Sequence, residues 1–207
     1  MGSEQTTALV AGASYLKVSQ VKEWGEILTG FETRNKYVVR DEQGQPLILA
    51  AEDSTGLGGA FLRMWLKALR PFTMTLMDQG GNVFLKLRRP FRFMFHRIEV
   101  EDAHGRPLGA VERRFSLLRR IYEVMDAGGQ SRLTLFGPVF RPWTFEIRRG
   151  DEVMGKIQKK WSGLGREMFT DADNFGVEFY PGLDPDDRLL LLAAVFLIDF
   201  VHFENRE

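Results

Sequence analysis

The sequence predicts a mainly β domain, a closed antiparallel barrel wrapped around one C-terminal hydrophobic α-helix. Two observations carry this. The middle of the chain is a series of short alternating stretches separated by repeated Asp-x-x-Gly tetrads: Asp41–Gly44, Asp78–Gly81, Asp102–Gly105 and Asp126–Gly129. The end is a run, Leu189 to Ile198, without a polar residue. A helix apolar on all sides must be enclosed, by lipid or by protein. A sheet must bury one face, and closing it removes its unpaired edges. A barrel closed around the helix meets all three demands.

The elements follow in order. Met1 to Ser14 lacks a basic leader and a long apolar run, so it does not read as a secretory signal. Its Met-Gly-Ser-Glu-Gln-Thr start fits the short N-myristoylation pattern, and residues 1–14 read as a flexible leader to a single domain at 15–207. Ser14–Lys22 alternates as a first strand. Lys22–Gly30 is open between a helical turn and a loop. From Asn35 the hairpins become regular. In each tetrad Asp folds its side chain onto the following amides, and Gly takes the positive-φ position that closes the turn. Asp78, Asp102 and Asp126 fall 24 residues apart, about two strands and two connections, as in all-β barrels and sandwiches. Arg149-Gly-Asp151 then separates Phe145–Arg148 from Glu152–Ile157.

Two stretches break the rhythm. In Gly56–Arg70, Phe61, Leu62, Trp65, Leu66 and Leu69 share one helical face, with Arg63, Lys67 and Arg70 off it. In Leu87–Arg97, Arg88 and Arg89 precede an alternating Phe91, Phe93, Phe95. Each is open to two readings. One is core packing of a helix and a strand. The other is an interfacial anchor, with rings at headgroup depth and cations near phosphates; its contact set is Phe61, Trp65, Lys67, Arg88, Arg89, Phe91, Phe93 and Phe95.

The closing helix spans about residues 185–203. Asp184 suits its cap, Pro185 its first position, and Asp186 and Asp187 oppose the positive end of its dipole. Leu189, Leu192, Phe196, Asp199 and Phe200 are its candidate core residues. A membrane span needs about 20 apolar residues; here Asp199 and His202 interrupt the run. A buried core helix is the first reading and a membrane-inserted segment the second.

Composition narrows the function. Lys plus Arg total 28 and Asp plus Glu total 28, so no global field favours nucleic acid or an anionic surface. There is no cysteine, which excludes disulfides, thiolate metal sites, cysteine nucleophiles and palmitoylation. No phosphate loop, His-Glu-x-x-His or nucleophile elbow occurs, and the chain does not read as an enzyme.

Several segments resemble the phospholipid scramblase family: Leu28-Thr-Gly-Phe-Glu-Thr-Arg-Asn-Lys-Tyr, Ala50-Ala-Glu-Asp, Arg70-Pro-Phe-Thr, Gly155-Lys-Ile, Lys160-Trp-Ser-Gly, Arg166-Glu-Met-Phe-Thr-Asp-Ala-Asp-Asn-Phe-Gly and Phe196-Leu-Ile-Asp-Phe. The resemblance runs from about Gln20 to Glu204. It implies the fold shared with LURP-one-related and tubby C-terminal domains, a barrel of about twelve antiparallel strands threaded by its last helix. It also implies membrane association and transbilayer phospholipid movement. Animal members carry palmitoylated cysteine-rich stretches where this chain has its two rhythm-breaking segments, so aromatic and basic residues are expected to replace acylation there.

The resemblance further implies a calcium site in Asp171–Gly182. Asp171 and Asp173 fit the first ligand positions of a calcium loop and Val177 could offer its carbonyl, but Phe175 and Phe179 supply no side-chain oxygen, and Asp184 lies beyond the last position. Calcium affinity is therefore expected to be weak, on the order of millimolar. The other reading is a turn entering a strand, because Phe175, Val177 and Phe179 alternate.

The expected protein is a phospholipid-binding member of this family, peripheral to the cytoplasmic face of the plasma or cytoplasmic membrane, with anionic phospholipid as partner and weak calcium as cofactor. The alternative is a soluble barrel that binds headgroups, a protein or nucleic acid without moving lipid. Overall neutrality argues against nucleic acid.

Overall fold

The computed structural model describes residues 3–21, 35–53, 71–90, 96–138, 140–141, 143–160 and 174–202. Twelve strands form one closed antiparallel sheet in which each strand pairs with its sequence neighbours and the first with the last. They are β1 (Tyr15–Val21), β2 (Lys36–Arg40), β3 (Pro46–Glu52), β4 (Phe72–Met77), β5 (Val83–Arg89), β6 (Arg97–Asp102), β7 (Pro107–Arg114), β8 (Arg120–Asp126), β9 (Ser131–Gly137), β10 (Thr144–Arg149), β11 (Glu152–Lys160) and β12 (Asn174–Phe179). A helix, α1 (Ser3–Gly12), precedes them, and α2 (Pro185–His202) follows.

The Asp-x-x-Gly tetrads close four of the hairpins. In each, the Gly amide donates to the Asp carbonyl at 3.0–3.1 Å, and Gly44, Gly81, Gly105 and Gly129 take φ of 79–81°. The Asp carboxylate accepts from the following backbone, as in Gly80 N–H to Asp78 at 2.8 Å and Arg106 N–H to Asp102 at 2.9 Å. The ladder shifts register beside each turn. A single-residue bulge of this kind adds right-handed twist.

Period-two alternation puts one side of every strand inside. Leu16, Val39, Ile48, Leu76, Leu85, Ile98, Val124, Leu135 and Ile157 belong to one apolar cluster with α2. Every residue from Leu189 to Phe200 is buried. Phe196 meets Tyr37 edge-on at 5.1 Å, and Phe200 lies 4.7 Å from Phe72. Burying a side chain of this size contributes roughly 1.5–3 kcal/mol, so the helix is the centre of the core. The buried acid toward its C-terminal end, Asp199, accepts from the Tyr37 hydroxyl at 2.8 Å.

The outward faces carry charge. Arg97 pairs with Glu99 at 3.4 Å and Glu112 at 3.3 Å, and Lys156 with Glu178 at 3.1 Å. An apolar inside and a charged outside are the reverse of a membrane-spanning barrel. Among the described residues, a small outer apolar cluster also lies on β2 to β4, formed by Val38, Leu49, Ala51 and Met77. Among the described residues, no helix is long and apolar enough to cross a membrane.

Residues 3–12, expected as a flexible leader, are helical. Val10 is fully buried in the core cluster, and Arg188 of α2 donates to the Ala13 carbonyl. The segment holds few apolar residues and α1 is barely amphipathic, so the sequence hid the element. It is docked by the buried side chains of Thr6 and Val10 and by that hydrogen bond.

Candidate lipid-facing end of the barrel

An up-and-down barrel puts alternate connections at opposite ends. One end carries the tight turns, and α2 begins there. The other carries the longer connections and the C-terminal end of α2. The two ends differ in chemistry.

At the turn end, α2 starts in an ionic cluster. Asp187 is fully buried and pairs with Arg132 at 2.8 Å and Arg149 at 3.0 Å. Its carboxylate also lies 3.4 Å from the Asp184 amide, reaching back toward the helix cap as in a capping box. Asp184 pairs with Arg132 as well. This bears on the candidate calcium set. Val177 lies in the middle of β12, paired with Leu16 on one side and Ile157 on the other, so its backbone belongs to the ladder. Asp184 is held by an arginine. These two members do not fit a calcium loop; Asp171 and Asp173 lie outside the described residues. Among the described residues no group of three or more His, Asp or Glu is placed to hold a metal ion.

At the long-connection end lie the strand termini that flank both rhythm-breaking segments: Glu52 and Phe72 around one, Arg89 and Arg97 around the other. Phe61, Trp65, Lys67, Phe91, Phe93 and Phe95 themselves fall outside the described residues. Arg88 points outward, 3.7 Å from Glu101. Arg89, grouped with it in the expected headgroup set, does not face solvent. It is buried, with its guanidinium 4.2 Å from the Phe200 ring centroid and 5.8 Å from that of Phe72. The reason is alternation: neighbours in β5 face opposite sides, and Arg89 takes the inner one. There it closes the core over the end of α2, where the helix dipole favours a cation. Its Nη2 lies 2.6 Å from His96 Nδ1. Burial, with Arg89 and Arg113 nearby, pushes the His96 ring down to about 4, so the ring is neutral and accepts from Arg89.

Two further connections at this end are the most exposed apolar features of the described chain. The β7–β8 loop shows Phe115 at 77%, Leu117 at 88% and Leu118 at 75% exposure, and the β9–β10 loop shows Phe140 at 97%. The loops are tied together. Arg120 donates to the Arg141 carbonyl at 3.1 Å and the Pro138 carbonyl at 3.4 Å, while its guanidinium lies 4.7 Å from the Phe145 centroid. Sequence reasoning passed over the apolar residues between the Arg113-Arg114 and Arg119-Arg120 pairs. The available signal was Arg-Arg-Phe-Ser-Leu-Leu-Arg-Arg itself, an apolar tip between two basic pairs.

The comparisons with known proteins agree with this architecture. The family model described as Scramblase matches residues 1–205. The chain is 36% identical over 210 residues to mouse Phospholipid scramblase 1, covering 95% of this chain and 63% of that protein. It is 34% identical over 203 residues to bovine Phospholipid scramblase 2, covering 91% and 68%. The chain thus spans somewhat less than two thirds of the first of these relatives. A solved Arabidopsis thaliana protein superposes with a TM-score of 0.51 over 90% of both chains at 17% identity, a likeness of fold alone. The barrel is tubby-like, and the chain belongs to the Scramblase family.

Proposed function

We propose that this protein binds phospholipid bilayers from the surface, at the cytoplasmic face of the plasma or cytoplasmic membrane, and promotes transbilayer lipid movement from there. The observation that carries the reading is the enclosure of α2: every residue from Leu189 to Phe200 is buried. With its apolar helix sealed, the domain meets lipid through its exterior. The long-connection end is the side for this, because Arg88 and the apolar loop tips lie there. Moving headgroups across a bilayer needs a polar path, which an enclosed apolar helix does not offer; the activity then rests on disturbing the bilayer from its surface. The same enclosure favours lipid binding without transport as a second reading.

Two assays separate these readings. Flotation with vesicles containing anionic lipid is expected to carry the protein upward, and protein that stays at the bottom at every composition overturns the proposal. In the same vesicles, dithionite bleaching of fluorescent inner-leaflet lipid reads transport. Bleaching confined to the outer leaflet leaves the binding-only reading. Calcium, the finer part of this reading, is expected to bind with millimolar affinity on the order of a weak loop. Titration calorimetry should lose that heat in Asp171→Ala/Asp173→Ala and keep it in Asp184→Ala, because Asp184 is already held by Arg132. Heat indifferent to the double substitution removes the site.

A further inference from the structure

We infer that the β7–β8 loop, together with Phe140 of the β9–β10 loop, is a membrane-inserting wedge that docks this end of the barrel onto a bilayer containing anionic phospholipid. The inference rests on the peripheral-binding reading and names the surface that performs it.

Three observations converge. The first is shape. Exposures of 75–97% describe protruding side chains rather than a flat patch. A protein partner with a packed interface matches flat or concave apolar surface, whereas a bilayer accepts isolated protrusions, because acyl chains flow around them. The second is charge. The segment from Arg113 to Arg120 holds four arginines and no acid, and Arg141 adjoins Phe140. Arg114 is engaged by Glu112 and Glu123. Arg119 and Arg141 are exposed, and Arg119 keeps its stem against the barrel with its guanidinium 5.3 Å from the Phe136 centroid. Apolar tips with arginines at their base match acyl chains below and phosphates at the rim. The third is rigidity. Arg120 bonds two carbonyls of the neighbouring loop, so the tips are presented together and little ordering is needed on insertion.

The wedge fixes an orientation. The tips lie at the end where α2 terminates, so the barrel axis stands toward the bilayer normal with the Asp-x-x-Gly turns facing away. Among the described residues, the large apolar side chains exposed at the turn end, Leu9, Val153 and Tyr180, reach only 37–43% exposure, and a concavity there of about 290 Å³ is lined by Arg106, Arg132, Asp126 and Asp186 beside Leu108 and Leu190.

The test uses the full chain. It has no cysteine, so Leu118→Cys gives a single site for an environment-sensitive fluorophore, and His104→Cys gives one in a turn at the opposite end. With phosphatidylserine-containing vesicles, the label at position 118 should shift to the blue and be quenched by brominated acyl chains, and the label at 104 should not. The triple variant Phe115→Ser/Leu117→Ser/Leu118→Ser should lose vesicle partitioning by on the order of a hundredfold, since three partly inserted side chains each contribute about fivefold. Its thermal midpoint should match wild type, because the tips are exposed. Arg119→Gln/Arg141→Gln should weaken binding to anionic vesicles and flatten its salt dependence. If wild type floats and the triple variant floats equally, or both labels respond alike, the wedge is overturned while peripheral binding stands. If wild type does not float, the underlying reading fails. A dimer in solution that the triple variant dissolves, with flotation unchanged, assigns the tips to a second copy of the chain and also overturns the wedge.

Discussion

Replacing Phe196 by Ala tests whether α2 is a core helix. Its ring is 1% exposed and sits edge-on to Tyr37 at 5.1 Å. Removing it leaves a cavity bounded by the helix and the barrel wall, neither of which can collapse far. Deletions of this kind cost about 3–5 kcal/mol, of which about 0.5–1.5 kcal/mol is the lost ring pair. Domains of this size are typically stable by roughly 5–15 kcal/mol, so the loss is a large share of the total. Urea unfolding followed by far-UV circular dichroism, without detergent, should show a lower midpoint and an unchanged slope. Vesicle flotation, run where both proteins remain folded, should not change. Wild-type stability in Phe196→Ala would refute the enclosure of the helix. Stronger vesicle binding by the variant would refute it differently: it would mean that loosening α2 releases the part that enters lipid.

Three other substitutions probe features of the same barrel. Gly155 lies at φ +149°, and a Cβ there would sit 2.2 Å from the Glu178 carbonyl oxygen; Gly155→Ala should disrupt the β11–β12 ladder and cost about 3 kcal/mol or more in chemical denaturation. Tyr37→Phe removes the hydroxyl that donates to Asp199 inside the barrel, and is expected to cost about 1–3 kcal/mol in the same assay. His96 titrates near 4 when folded and near 6.5 when unfolded. The unfolded state therefore binds more protons in that window. Stability should fall as pH drops from 6.5 toward 4, by at most about 1 kcal/mol for a half-buried ring screened by solvent, and His96→Gln should remove that part of the slope. A pH profile identical in the variant would show that the ring is not held neutral.

The chemistry of the hairpins was legible because it is local. An Asp that folds onto the next amides and a Gly at positive φ specify a turn from four residues, and alternation between turns specifies strands. The uniform apolarity of Leu189–Ile198 likewise required an enclosure whatever the rest of the chain did. The side on which each residue falls was not local. Arg88 and Arg89 are adjacent in sequence and opposite in fate, and only the register, shifted by a bulge near Met77, decides which closes over Phe200. The candidate calcium residues show the same limit: Asp184 suited both a ligand and a cap, and Arg132, brought from β9, settled its described partner.

By itself, then, the sequence determined an all-β hairpin series, a helix needing a wrapper, and a family resemblance strong enough to name the barrel. Tertiary structure alone decided that the wrapper is the chain itself, that α1 docks through Val10, that Arg89 is a core residue, and that Phe115, Leu117, Leu118 and Phe140 stand in solvent. The reason is physical. Turn and strand preferences are short-range, whereas burial depends on which surfaces meet. Apolar residues in sequence are indistinguishable from core until the strands close and leave some outside.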